Sequence, residues 1–226
     1  MISKLCLFGD SISKGVIFDA GAQRYRFLKN CFASVFSEST GIFVDNHSKF
    51  GCTVGKGLEL LHKQIAFLRN YDCTVLEYGG NDCDFDWPAI SEAPDRTHLC
   101  KTPMFEFVRT YEEMIDSVRD AGGKPIMLNM IPLDEEKYFA WISRGLNPAN
   151  ILRWLGNVHN IFLWHSAYND AVCDIAKRKG VRLIDVRGPF LAVKNYTKML
   201  CEDGIHPNAE GHSFICGVLR DALAAV

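Results

Sequence analysis

Two short runs far apart in the chain, Phe8-Gly9-Asp10-Ser11-Ile12-Ser13 and Asp203-Gly204-Ile205-His206-Pro207-Asn208, hold the residue types that covalent acyl chemistry needs. A serine hydroxyl is a weak nucleophile near neutral pH. It needs a histidine within hydrogen-bond reach and a carboxylate that fixes the histidine's tautomer. Ser11 is the candidate nucleophile, His206 the candidate base and Asp203 its orienting partner. Only two residues separate Asp203 from His206, so a single loop has to bring both to Ser11. Attack on a carbonyl also creates a negatively charged oxygen, which requires donors aimed at it in advance. Gly51, in the segment Asp45 to Thr53, lets a backbone N–H approach with no side chain in the way. Asn81, behind two permissive glycines in Gly79-Gly80-Asn81-Asp82, offers its side-chain amide. Taken singly, each run has an ordinary explanation: Asp10 or Ser11 caps a helix, and Gly51 and Asn81 form turns.

Elements that could gather these residues are readable as an alternation. Leu5 to Phe8, Ile42 to Asp45, Thr74 to Tyr78, Pro125 to Met130 and Val181 to Val186 are short apolar runs bounded by turn formers, and read as five buried strands. Between them, Leu58, Leu61, Ile65 and Leu68, then Val108, Tyr111, Ile115 and Val118, recur at helical spacing. A β-α-β-α order builds a parallel sheet covered on both faces, with ligands at the carboxyl edge of the strands. Ser11, Gly51, Asn81 and the Asp203/His206 loop all follow predicted strands, so four loops should meet on one rim. Pro207 suits the first position of a closing helix that runs to about Ala224. The chain is expected to be one domain over 1–226, with cap insertions near 83–102 and 133–163 that break the bare alternation. The aromatic residues between 138 and 164 could line a substrate cap, fill the core or form an interface between copies, which leaves a homo-oligomer open.

Composition narrows the partners. Net charge is −2, with both signs scattered, which gives no field for capturing nucleic acid or an anionic membrane. No apolar run is long enough to span a bilayer. The first eight residues read as a strand leading straight into the Gly9-Asp10-Ser11 turn rather than as a signal peptide. Nine cysteines without a C-x-x-C pair fit reduced thiols in a cytoplasmic protein. No metal or other cofactor is expected. Asp82, Asp84 and Asp86 alternate like the start of a calcium loop, but Trp87 and Ala93 stand where glycine and glutamate are wanted. His206 and His212 are too far out of helical phase to form a metal pair. Cys52, Cys83 and Cys201, beside the candidate site residues, read as buried thiols.

Together, and in this order, the four blocks resemble those of the SGNH (GDSL) hydrolase superfamily, of the GDSL-like lipase/acylhydrolase type. Gly9-Asp10-Ser11 resembles the block with the nucleophile, Asn46 to Gly51 the one with the oxyanion glycine, Gly79 to Asp82 the one with the oxyanion asparagine, and Asp203 to Pro207 the one with the triad's Asp and His. The resemblance implies an α/β, three-layer α/β/α sandwich, flavodoxin-like, with a five-stranded parallel sheet. It also implies metal-free hydrolysis of a carboxylic ester through an acyl-enzyme on Ser11. The oxyanion would be held by the Ser11 and Gly51 N–H groups and the Asn81 amide. Gly9-Asp10-Ser11-Ile12-Ser13 lacks the second glycine of a G-x-S-x-G elbow, which disfavours the common α/β-hydrolase fold. Acylated sugars, lysophospholipids and simple esters all suit this chemistry. Two alternatives stand beside it: an acyltransferase using the same groups, and a non-catalytic flavodoxin-like module binding a phosphate or flavin.

Overall fold

Side chains on the central strands alternate between two cores, and this alternation organises the molecule. In a computed structural model, which describes residues 2–224, Cys6 and Phe8 of the first strand join one apolar cluster while Leu5 and Leu7 join another. A buried strand must be apolar on both faces, which is why these segments read as unbroken hydrophobic runs. The elements follow in the order β1 (Lys4–Gly9), α1 (Ser11–Lys14), β2 (Val16–Asp19), β3 (Arg24–Phe27), α2 (Phe32–Thr40), β4 (Phe43–Asn46), α3 (Val54–Gln64), β5 (Cys73–Glu77) and α4 (Trp87–Glu92). They continue with α5 (Met104–Asp120), β6 (Pro125–Leu128), α6 (Glu135–Ile142), α7 (Pro148–Leu155), α8 (His159–Lys179), β7 (Arg182–Ile184), α9 (Arg187–Ala192) and α10 (Ala209–Ala224).

The five-stranded sheet is parallel throughout, in the order β4-β1-β5-β6-β7. Helices α3, α5 and α8 cover one face; α2, α9 and α10 cover the other. The fold is therefore the expected three-layer α/β/α sandwich. Helix α5 shows how the layer is held: Phe107, Tyr111, Met114, Ile115 and Val118 are all fully buried at spacings of three or four residues. Truncating one such side chain to alanine costs roughly 2–5 kcal/mol, because the hole it leaves refills only partly.

The structure departs from the sequence reading in several places. The helix after Ser11 is a single turn, ended by Gly15 at φ +79°, where a Cβ would come within 2.4 Å of Cys31 Cβ. The chain then forms an antiparallel hairpin, β2 with β3, which the strand count did not include. The stripe from Leu58 to Leu68 divides between α3 and a 3-10 turn at Ile65–Asn70. The 83–102 segment, expected as a cap insertion, contains the short α4. The closing helix begins at Ala209 rather than at Pro207; Asn208 Oδ1 accepts from the Gly211 N–H and caps it. No helix among the described residues is long and apolar enough to cross a membrane.

Candidate active site

Ser11 stands at the carboxyl end of β1, on the first residue of α1. Asp10 is the cap: its Oδ1 accepts from the Ile12 N–H at 2.8 Å. The ordinary explanation of this tripeptide thus applies to Asp10 and frees Ser11 to face the rim. Ser11 Oγ lies 2.8 Å from His206 Nε2, and His206 Nδ1 lies 2.6 Å from Asp203 Oδ2. All three side chains are buried, Asp203 completely. Burial alone would raise the Asp203 carboxyl, but hydrogen bonds and charge from His206, with the N–H groups of His206 and Ile205, outweigh it and hold the group below its ordinary value. Asp203 is therefore an anion, so it accepts from Nδ1–H and leaves Nε2 as the lone-pair nitrogen facing the serine.

The loop carrying Asp203 and His206 is fixed by its own backbone. Leu200 bridges Pro207 in antiparallel fashion, the Cys201 N–H donates to His206 O at 2.7 Å, and the Gly204 N–H donates to Cys201 O at 3.1 Å. Gly204 has φ +77°, and a Cβ there would meet Asp134 O at 2.6 Å and Tyr138 N at 2.7 Å. The glycine between Asp203 and His206 is thus needed both for the turn and for contact with the start of α6. On the open side of His206, Tyr25 of β3 packs edge-on at 5.2 Å and Phe50 lies nearly parallel at 6.1 Å. Tyr25 is held protonated by its burial and by the Asp203 charge.

The candidate oxyanion donors sit on the neighbouring loops. Gly51 adopts φ +69° with open space where a Cβ would be, and lines the same cavity as Ser11. Asn81 also lines it; its Nδ2 donates to Asp10 Oδ2 at 3.1 Å and to Cys52 O at 3.3 Å. Its neighbour Asp82 is fully buried and receives the Val54 N–H on both oxygens, at 3.0 and 3.1 Å, tying this loop to the start of α3. Four loops do converge, and Ser11, Gly51, Asn81, Asp203 and His206 all meet there.

Two groups at the rim went unnoticed in the sequence. Glu77, the last residue of β5, is buried directly beneath Asp10, with Oε2 accepting from Ser13 Oγ at 2.8 Å and from the Asp10 N–H at 3.3 Å. Two carboxyls so close in a dry site cannot both ionise easily. Burial, then the charge of Asp10, pushes Glu77 well up, while Asp10 itself is raised by burial to about 6. A neutral Glu77 under an anionic Asp10 leaves Asp10 free to hold the Asn81 amide. A charged residue inside an otherwise apolar strand was the available signal. Tyr25 gave no such signal, since the hairpin carrying it has no typical turn dipeptide. Cys52 and Cys201 are pushed up to about 11, and Cys83 well up, by burial, so these thiols stay protonated.

The rim opens into a cavity of about 820 Å³. Its walls include Phe85, Trp87, Tyr138, Trp141, Trp154 and Trp164, contributed by α4, α6, α7, α8 and the segment before α4. Edge-to-face pairs knit them together, Phe85 with Trp154 at 4.8 Å and Trp87 with Trp154 at 6.1 Å. Three of these rings are tied down by their polar ends: Trp87 Nε1 and Tyr138 OH both donate to Asp84 Oδ1, at 2.9 and 2.6 Å, and Trp164 Nε1 donates to Cys83 O at 3.0 Å. The cavity therefore offers aromatic surface next to a serine–histidine pair.

Comparison with known proteins identifies the family and the fold. The sequence pattern of the GDSL-like lipase/acylhydrolase family matches residues 7–214. Among solved structures, a lipase/acylhydrolase from Enterococcus faecalis superposes with a TM-score of 0.69 at 18% identity, covering 98% of this chain and 95% of that one. LAE5, an alpha/beta hydrolase enzyme from the metagenome of Lake Arreo in Spain, gives 0.65 at 22%, over 98% and 95%. The acetyl xylan esterase AlAXEase gives 0.63 at 20%, over 97% and 99%. At these identities the likeness establishes the shared fold. No curated protein matches the chain.

Proposed function

Since the chain belongs to the GDSL-like lipase/acylhydrolase family, we propose that it is a serine esterase in which Ser11, His206 and Asp203 act as a catalytic triad on a carboxylic ester. The observation that carries this reading is the unbroken chain of contacts from Ser11 Oγ through both nitrogens of His206 to Asp203, at 2.8 and 2.6 Å. His206 takes the Ser11 proton through Nε2 as Oγ attacks the ester carbonyl, and Asp203 stabilises the imidazolium that results. The Ser11 and Gly51 N–H groups and the Asn81 amide receive the oxyanion, which displaces the longer of Asn81's two present bonds, the 3.3 Å contact to Cys52 O. His206 returns the proton to the leaving alcohol. It then activates a water that releases the acid and regenerates Ser11.

Helix α1 is too short, at four residues, to present a useful dipole to a phosphate, which weighs against a phosphate- or flavin-binding module. An acyltransferase would use the same groups and differ only in the alcohol that resolves the acyl-enzyme. The nine free cysteines suit a reducing compartment, and we place the protein in the cytoplasm on that ground.

The test is hydrolysis of p-nitrophenyl esters from acetyl to palmitoyl by the native protein and by Ser11→Ala, both checked for folding. The native protein should turn over some members of the series and Ser11→Ala none above background. Covalent labelling by a fluorophosphonate should require Ser11. Equal rates in the two proteins would overturn the assignment, and added sugar or alcohol acceptors that divert the acyl group would convert it to a transferase.

A further inference from the structure

One buried cluster on the cavity wall takes no part in the acyl chemistry. His165 of α8 lines the cavity yet is only 8% exposed. Its Nδ1 lies 3.2 Å from Nη1 of Arg187, which is itself 6% exposed. Among the described residues, Arg187 has no carboxylate in contact. Nη1 also reaches Met130 O and Ile131 O, at 3.5 and 3.4 Å, Nη2 donates to Ser166 Oγ at 2.7 Å, and the guanidinium lies 5.1 Å from the Phe162 ring.

A guanidinium can only donate, so His165 Nδ1 must accept and the ring proton must sit on Nε2. Burial, reinforced by the Arg187 charge, lowers His165 to about 3, which keeps the ring neutral and the tautomer fixed. The Nε2–H has no acceptor among the described residues, and it is not sealed in the interior as His212 Nε2 is. His165 itself stands on the cavity wall. A fixed donor without a partner among aromatic walls disfavours a ligand that buries it unanswered and favours one that brings an acceptor.

We propose that the part of the natural ester buried in this cavity is an apolar chain or ring bearing one hydrogen-bond-accepting oxygen, which receives the proton on His165 Nε2. This rests on the esterase reading of Ser11. Aromatic walls take the hydrocarbon, His165 takes the oxygen, and Arg187 acts on substrate only through the histidine it orients. A plain fatty acyl chain of the same length is the weaker substrate.

The test compares p-nitrophenyl dodecanoate with isosteres in which one methylene, from C4 to C11 in turn, is replaced by an ether oxygen. Values of kcat/KM are measured on the native protein, on His165→Gln, which keeps an N–H donor, and on His165→Leu. At one oxygen position the native protein should gain about tenfold over dodecanoate, as expected for one added hydrogen bond. His165→Gln should keep part of that ratio, and His165→Leu should bring it to one or below. Because each ratio is taken within one protein, partial loss of stability in a variant does not imitate the result. The inference is overturned if dodecanoate beats every isostere on the native protein, or if His165→Leu keeps the preference. A second arm titrates Ser11→Ala and its His165→Leu double variant with the matching methyl esters, following quenching of the four tryptophans, all of which line the cavity. If no ester is hydrolysed by any protein, the reading of Ser11 fails, and the ratio of dissociation constants still decides for or against His165.

Discussion

The rim that holds Ser11 and the aromatic roof above it are built on different principles. At the rim, position is set by short directional bonds between buried or half-buried polar groups: Asp203 with His206, Asp10 with Asn81, Glu77 with Ser13. In the roof, α4, α6 and α7 are pinned at their starts by the caps Asp86, Asp134 and Asn147. Beyond those caps and the bonds to Asp84 and to Cys83 O, rings touch rings. Directional bonds fail abruptly when a partner is removed, because the remaining buried group stays unpaired. Ring packing yields by degrees, since volume and shape can be shared among neighbours. On the esterase reading, the same cavity joins a wall that fixes the reaction to one that can change substrate with little effect on the reaction.

This contrast can be broken by substitution, and the largest effect belongs to the rim. Asp203→Asn keeps the shape but favours the wrong imidazole tautomer, and should lower kcat by about 10⁴-fold with the fold intact, measured by steady-state kinetics beside circular dichroism. A loss below about tenfold would show that Asp203 does not set the tautomer. Asn81→Ala should cost about 10²–10³-fold in kcat while KM moves far less, the signature of a donor used mainly in the transition state. Should KM carry the loss instead, Asn81 binds substrate rather than oxyanion.

The roof should respond in the opposite sense. Trp154→Ala removes a ring that touches Phe85, Trp87 and His98. We expect about a tenfold fall in kcat/KM for bulky acyl esters, carried by KM, and little change for acetyl esters. Equal losses across the series would mean that the ring supports the rim.

The smallest effect concerns the support behind the rim. His212 of α10 is fully buried, and burial, with the nearby His206, lowers it from 6.5 to about 4. Its stabilising contribution is therefore complete above pH 6.5 and is lost as pH falls through 4. Asp82, raised by burial to about 6, acts in the opposite direction over much of the same interval: its contribution is present at low pH and lost as pH rises through 6. The native protein shows only the sum. His212→Leu isolates one part: it should lose less stability than the native protein between pH 6.5 and 4, read from urea unfolding at each pH. Parallel pH curves for the two proteins would exclude His212 as a contributor.

The sheet was legible because a strand covered on both faces must be apolar at every position, as Leu5-Cys6-Leu7-Phe8 is. The convergence at the rim was legible because parallel strands deliver their following loops to one edge. The hairpin was not, for a physical reason. Arg24, Arg26 and Phe27 are exposed, so β3 lacks the clean alternation of a half-buried strand, and its turn uses Gln23 at φ +48° where a glycine or asparagine would have announced it. Glu77 and Asp10 were visible as residues but not as a pair, since their meeting depends on register between β1 and β5, where Gly9 lies beside Glu77. His165 and Arg187 lie on separate helices and had no sequence spacing to connect them.

The contact between Ser11 and His206 joins residues 195 positions apart. During synthesis, at about 5–20 residues per second, the serine leaves the ribosome roughly 10–40 s before its histidine. On the proposed mechanism the nascent chain carries an unactivated hydroxyl through that interval, and the esterase comes into being only when the last layer of the sandwich closes over the sheet. Catalytic competence is then a late checkpoint on folding, and a chain released before residue 206 should be chemically silent rather than a loosely specific esterase.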